Sequence, residues 1–221
     1  MLAGRAPDGV RLLAVSKTHP STRLAEAYAA GQAAFGENYV QEAIEKMEAL
    51  EQQLGPDAAR RLEWHLIGPL QSNKTRLVAE RFAWVHTLER EKIARRLSEQ
   101  RPPRVAPLKV LIQVNLSGEG SKSGVAPLEV SALAHAVAAM PRLELHGLMA
   151  IPEPSDDPAV QRARFRPLRE LYERLQQEGF ALDTLSMGMS GDLEAAIAEG
   201  ATLVRVGTAI FGARERAKSA A

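Results

Sequence analysis

Between Val10 and Gly207, short apolar runs alternate with longer segments whose apolar residues recur at helical spacing. That alternation restricts the chain to repeated βα units around a parallel sheet. The runs are Val10 to Ser16, Ala33 to Asn38, Glu63 to Gly68, Phe82 to Leu88, Leu108 to Leu116, Leu143 to Ile151, Thr184 to Met189 and Thr202 to Gly207. Stretches such as Val110-Leu111-Ile112 fit strands buried on both faces. After Pro20, Leu24, Ala27 and Tyr28 give a helix its buried face, Ser21 or Thr22 a cap, and Gly31 a stop. The next helix has Ala43, Met47, Leu50 and Leu54 on one stripe, charged residues elsewhere, and an end at Gly55-Pro56. Further helices are expected to about Arg81, over Glu89 to Gln100, Pro127 to Met140, Ala159 to Gly179 and Asp192 to Glu199. Eight strands, each followed by a helix or turn, make an α/β fold of the single (β/α)₈ TIM barrel type the leading architecture. An open doubly wound sheet is the alternative, but no dinucleotide glycine fingerprint follows the first strand. No linker divides the chain, so residues 1–221 read as one domain.

Composition narrows the function. The formal net charge is +1 with 25% charged residues, so there is no global basic excess to attract nucleic acid or an anionic membrane, and a small-molecule partner is expected. The chain has no cysteine, which excludes disulfides, thiol catalysis and thiolate metal sites. Residues Met1 to Gly9 are too polar for a signal peptide, and Gly, Pro or charge breaks every long apolar stretch. A cytoplasmic, monomeric protein is the default expectation.

The first run drives straight into Lys17. An ammonium is costly to bury unpaired, and desolvation or a nearby cation releases the neutral amine that attacks a carbonyl. Lys17 is therefore a candidate Schiff-base lysine; the alternative is a half-exposed lysine with its head in water. In barrels the active site lies at the carboxyl ends of the strands, with phosphate commonly bound after strands seven and eight. Ser186-Met187-Gly188-Met189-Ser190-Gly191-Asp192 and Val206-Gly207-Thr208 stand at those two places with small residues, hydroxyls and helix starts, the chemistry of an anion site. Arg205 points into the barrel mouth if its neighbours Val204 and Val206 face the helices. Asn38 ends the second strand, as a ligand contact or a helix cap. His65 and His86 read equally well as satisfied core histidines and, without a metal-ligand cluster, are given no catalytic role. Glu37, Asn115 and Lys122 are weaker candidates, Lys122 as a cofactor-access or second-site residue in the glycine-rich loop 117–124.

At these residues the chain resembles a known family. Leu13-Ala14-Val15-Ser16-Lys17-Thr18, Phe35-Gly36-Glu37-Asn38-Tyr39, Trp64-His65-Leu66-Ile67-Gly68, Gln71-Ser72-Asn73-Lys74, Ser186-Met187-Gly188-Met189-Ser190 and Val204-Arg205-Val206-Gly207-Thr208-Ala209-Ile210-Phe211-Gly212 together are similar to the YggS/PROSC, or pyridoxal phosphate homeostasis protein, family. The match runs in order from about Val10 to Gly212. It implies an alanine-racemase-like barrel that binds pyridoxal 5′-phosphate, with Lys17 as the aldimine lysine. It further implies Ser190, Gly207 and Thr208 on the phosphate, Arg205 near the pyridine nitrogen, and Asn38 with Met187 lining the ring. Two departures stand out: a short start where the family has a helix before its first strand, and a Thr87-Leu88-Glu89-Arg90 segment unlike the family's serine- and aspartate-bearing version.

The resemblance implies a carrier or buffer of the cofactor, with cofactor-dependent apoenzymes as recipients. A racemase-like enzyme is the alternative. Racemases of this barrel type take a tyrosine base from a second domain, whereas this chain ends just after its eighth strand and has only Tyr28, Tyr39 and Tyr172. A Schiff-base aldolase acting on a phosphorylated sugar is the third reading; a yellow purified protein would argue against it. Fold alone does not choose between them.

Overall fold

The computed structural model describes residues 6–118 and 123–212. In chain order the strands are β1 (Arg11–Val15), β2 (Ala34–Glu37), β3 (Glu63–Leu66), β4 (Trp84–Leu88), β5 (Leu108–Gln113), β6 (Leu143–Met149), β7 (Thr184–Ser186) and β8 (Leu203–Val206). Each pairs in parallel with its chain neighbours, and β8 closes onto β1 with Leu13 opposite Arg205, so the sheet is a closed barrel and the open alternative is excluded. Outside it lie α1 (Ser21–Ala29), α2 (Val40–Leu54), α3 (Pro56–Ala59), α4 (Thr75–Arg81), α5 (Glu91–Gln100), α6 (Val130–Ala138), α7 (Pro158–Gln177), α8 (Leu193–Ala198) and α9 (Thr208–Phe211).

The apolar patterning placed every strand, but several strands are shorter than their runs: β5 ends at Gln113 and β7 at Ser186, where the chain leaves the ladder for the barrel mouth. The expected cap of α1 is corrected. Ser21 already lies in the first helical turn and Pro20 occupies the cap position without a side-chain bond, because proline's fixed φ suits that place. Pro167 sits inside α7 on its exposed side, where water can take up the carbonyl that lacks an N–H partner.

Strand alternation divides the side chains into two sets. Outward residues such as Ala14, Phe35, Leu66, Val85 and Val110 pack against Leu24, Ala43, Met47, Leu50, Val78, Ile93 and Leu97 of the surrounding helices. On the other half of the barrel, Leu148, Leu185, Val204 and Val206 pack against Phe165, Leu168 and Leu175 of α7 and Ala196 of α8. Inward residues form two small apolar plugs, Leu13 with Ile67 and Leu203, and Trp84 with Leu111 and Met149. At Gly147 a Cβ would stand 1.8 Å from the Thr184 carbonyl oxygen, so only glycine lets β6 approach β7 where the β5–β6 register shifts.

A polar column crosses the same interior. Arg205 donates to the Ser186 hydroxyl (2.8 Å), Ser186 lies 3.1 Å from Nδ1 of His86, His86 Nε2 lies 2.8 Å from Nδ1 of His65, and His65 Nε2 lies 2.8 Å from Glu63. Its ends dictate its direction, because a guanidinium can only donate and a carboxylate only accept. Ser186 therefore donates to His86, His86 to His65 and His65 to Glu63, which makes both histidines neutral Nε2–H tautomers. Burial lowers the pKa of both imidazoles, His86 the more strongly because the Arg205 cation adds its field there while Glu63 partly offsets burial at His65. Burial opposes the charge on Glu63, but the bond from His65 and the Arg11 guanidinium 3.9 Å away prevail and bring its pKa down to about 2.

A neutral buried histidine ties stability to pH. The unfolded chain takes up a proton below its ordinary pKa of about 6.5 while the folded one refuses it, so stability falls as pH drops through that value. Each such histidine steepens the acid limb by about 1.4 kcal/mol per pH unit. Urea unfolding of cofactor-free His86→Gln between pH 6 and 5 should show a slope shallower than that of the parent by about that amount. Equal slopes would contradict the neutral column.

Candidate functional site

Lys17 continues the inward alternation of Leu13 and Val15 past the end of β1, so its side chain enters the mouth while Ser16 is buried on the helix side. There it lines a cavity of about 250 Å³ together with Val15, His19, Met189, Ser190, Gly191, Arg205, Gly207 and Thr208. Lys17 is half-buried, between the two readings the sequence left open. The chain then turns sharply, with Thr18 in the left-handed region at φ 67°.

The opposite wall is an anion cradle. Gly188, at φ 93°, lets β7 turn beside α8, where a Cβ would come within 2.6 Å of the Ala196 Cβ; its carbonyl accepts the Arg205 N–H at 2.9 Å. Asp192 accepts from the Met189 N–H (2.6 Å) and holds the turn that presents Ser190 and Gly191. Among the described residues the backbone N–H groups of Ser190, Gly191, Thr208 and Ala209 have no protein acceptor. Those of Ser190, Gly191 and Thr208, with the Ser190 and Thr208 hydroxyls, are donors on a cavity wall that carries no carboxylate.

Arg205 rises between these walls from the barrel interior and is 4% exposed. As expected, Val204 and Val206 face the helices. Its guanidinium donates to the Ser186 carbonyl (2.8 Å), the Ser186 hydroxyl (2.8 Å) and the Ala150 carbonyl (3.0 Å). Burial pulls its pKa down to about 10, partly offset by Asp192, which leaves it a cation at neutral pH.

The remaining expected residues divide. Asn38 lies in a second hollow of about 330 Å³ with Ile67, Gly68, Thr87, Arg90 and Gln113, which shares no lining residue with the Lys17 cavity, and it does not cap α2. Its Oδ1 is buried without a partner, so an acceptor is available at that side of the mouth. Met187 is a correction. It alternates with inward Ser186, is fully buried among the residues facing α7 and α8, and is not on the cavity wall. Glu37 is also fully buried and turns away from the mouth toward α2, and Asn115 accepts from the Ser117 N–H and hydroxyl in a local turn. Lys122 lies outside the described residues. Sequence reasoning missed Ser186 and His86 as supports of Arg205; a serine and a histidine at inward positions of apolar strands were the available signal. It also missed Lys46, taken as one of the charged residues off the stripe of α2. Lys46 is 6% exposed, and its spacing of three from Ala43 and four from Leu50 had placed it on that stripe.

The model of the alanine racemase N-terminal domain family matches residues 1–215. A pyridoxal phosphate homeostasis protein of Pseudomonas aeruginosa is 59% identical over 213 residues, 96% of this chain and 88% of that one. Its counterpart in Vibrio cholerae is 57% identical over 217 residues, 98% and 91% of the two chains. PipY of Synechococcus elongatus, solved with pyridoxal phosphate bound, superposes with a TM-score of 0.84 at 40% identity over 96% of each chain. Alanine racemase of Corynebacterium glutamicum shares the fold, with a TM-score of 0.69 at 18% identity over 99% of this chain and 59% of the enzyme. A barrel with this mouth, this family match and relatives this similar belongs to the alanine racemase N-terminal domain family and, within it, to the pyridoxal phosphate homeostasis proteins.

Proposed function

We propose that this protein binds pyridoxal 5′-phosphate at the barrel mouth and serves intracellular cofactor homeostasis, carrying or buffering the cofactor as a cytoplasmic monomer and passing it to apoenzymes without turnover of its own. One observation carries the reading: a lysine, a buried arginine and a set of unpaired donors line a single cavity. The cofactor supplies an aldehyde for an amine, a pyridine nitrogen for a donor and a phosphate for an anion cradle. Lys17 holds the aldehyde as a Schiff base, Ser190, Gly207 and Thr208 hold the phosphate, Arg205 faces the pyridine nitrogen, and Asn38 borders the ring from the side of the second hollow. Glycine at 207 lets the end of β8 lie close to β1, since a Cβ there would press to 3.1 Å from the Val15 carbonyl oxygen.

Arg205 also bears on catalysis. An acidic partner would keep the ring nitrogen protonated and electron-withdrawing, but a guanidinium can only donate and leaves it unprotonated. A second need is a base on the far side of a bound amino acid, a function typically contributing about 10²–10⁴-fold. Among the described tyrosines, Tyr172 donates to the Leu182 carbonyl (2.9 Å), Tyr28 packs in the layer between sheet and helices, and Tyr39 is exposed at the start of α2.

Three outcomes are expected. Borohydride reduction of the cofactor-loaded protein followed by peptide mapping should place the cofactor on Lys17; label confined to another lysine would overturn that assignment. The double variant Ser190→Ala/Thr208→Ala should bind pyridoxal 5′-phosphate at least about tenfold more weakly, since each bond to a charged group is worth about 1.5–3 kcal/mol and about 1.4 kcal/mol is a factor of ten. Unchanged affinity would remove both from the phosphate site. In deuterated buffer, amino acids should show no α-proton exchange at enzyme rates by NMR. Rapid exchange that is lost in Lys17→Ala would restore the racemase-like enzyme.

A further inference from the structure

A buried charge held by three hydrogen bonds lies behind Lys17, outside the cavity. Lys46 of α2 spends its three ammonium protons on the Ser16 carbonyl (2.7 Å), Glu37 Oε1 (2.7 Å) and Glu42 Oε1 (2.6 Å). Glu37 in turn accepts the Ser16 hydroxyl at 2.6 Å, and Glu42 accepts the backbone N–H of Thr18 at 2.5 Å. The residue before Lys17 is thus gripped at its carbonyl and hydroxyl, and the residue after it at its amide. We propose that Lys46, Glu42 and Glu37 are positioning residues for Lys17, an ion-pair clamp on both flanks of its peptide that sets where its amine enters the cavity. The proposal rests on the reading of Lys17 as the attachment residue.

Three features favour positioning over simple stability. First, burying an ion pair is seldom a net gain over well-packed apolar side chains of similar volume, and position 46 lies on an otherwise apolar stripe where such a side chain would fit the pattern. Second, Thr18 holds φ 67° without being glycine, a conformation that persists only where the surroundings over-determine it. The bond from its amide to Glu42 is part of that determination, as is the bond from His19 N–H to the Ser16 carbonyl (3.1 Å), the same oxygen that Lys46 holds. Third, Ser16, Glu37 and Lys46 are absent from the cavity wall, so the clamp reaches a ligand only through the backbone of Lys17. The step it serves is a condensation: the neutral amine nitrogen bonds to the aldehyde carbon, both amine protons leave with the carbonyl oxygen as water, and nothing is oxidised or reduced. Its rate depends on where the nitrogen stands relative to that carbon, and a misplacement of about 1 Å can cost on the order of 10²-fold.

The test separates binding from bond formation in the full-length protein. Pyridoxine 5′-phosphate, the alcohol analogue, has the ring and phosphate but no aldehyde, and pyridoxal 5′-phosphate can be followed by stopped-flow absorbance and by mapping after borohydride. Lys46→Met and Glu42→Ala should bind the analogue within about threefold of the parent yet attach the aldehyde at least about tenfold more slowly, since only the approach geometry is disturbed. Glu42→Gln keeps an acceptor oxygen for the Thr18 amide and should recover most of the rate. If Lys46→Met does not fold, Glu42→Ala decides, because its side chain is 28% exposed and its loss leaves the Lys46–Glu37 pair in place. Attachment at Lys17 with unchanged rates, or analogue binding and attachment falling together, would overturn the clamp alone. Attachment of the parent protein at another lysine would overturn the Lys17 assignment and the clamp with it.

Discussion

Arg205 is a guanidinium inside a barrel with no carboxylate on its own hydrogen bonds, and much of the interior is arranged around that fact. A cation that is 4% exposed must replace its water with fixed acceptors, and here they are two carbonyls and a hydroxyl. The hydroxyl belongs to Ser186, whose proton must then go to a histidine, which must pass its own to a second. The series ends on the carboxylate of Glu63, so positive charge at the mouth and negative charge near the floor are joined by neutral donors pointing one way. Histidines elsewhere are common pH switches, but burial biases these two toward the neutral form.

The outer layer explains why such an interior is tolerated. Apolar packing between sheet and helices is extensive on both halves of the barrel, whereas the apolar plugs inside are small. Hydrophobic stabilisation is therefore concentrated outside the strands, and the inside is left for groups that orient one another. The mouth inherits this division. Its rigid members, Arg205 and the turn around Lys17, are anchored by buried bonds, while the anion donors sit on short exposed turns, the one with Ser190 and Gly191 held by Gly188 and Asp192.

The site thus has two kinds of support with different physics. The anion cradle depends on local backbone geometry, so its residues stand close together in sequence within each loop. The supports of Lys17 and Arg205 depend on side chains from other elements: Ser16 meets Lys46 across 30 positions, and His86 meets Ser186 across 100. Substitutions in the first group act on the ligand directly; those in the second act through the orientation of a residue that touches it.

That distinction also marks what was legible in the chain. The sequence by itself determined the eight βα units, the place of Lys17 just past the first strand and of Arg205 inside the last, and the two loops with small donors, because apolar runs, helical stripes and glycine turns are local properties written into neighbouring residues. It misjudged Met187, which its motif placed at the ring and its parity places against the helices, and it left Lys46 among the charged residues off the apolar stripe. Only the tertiary structure decided the partners of Lys46, the order of the polar column and the division of the mouth between the Lys17 cavity and the Asn38 hollow. Those depend on which strands and helices become neighbours when β8 closes on β1, and a hydrogen bond between residues far apart in the chain leaves no periodic trace in either segment.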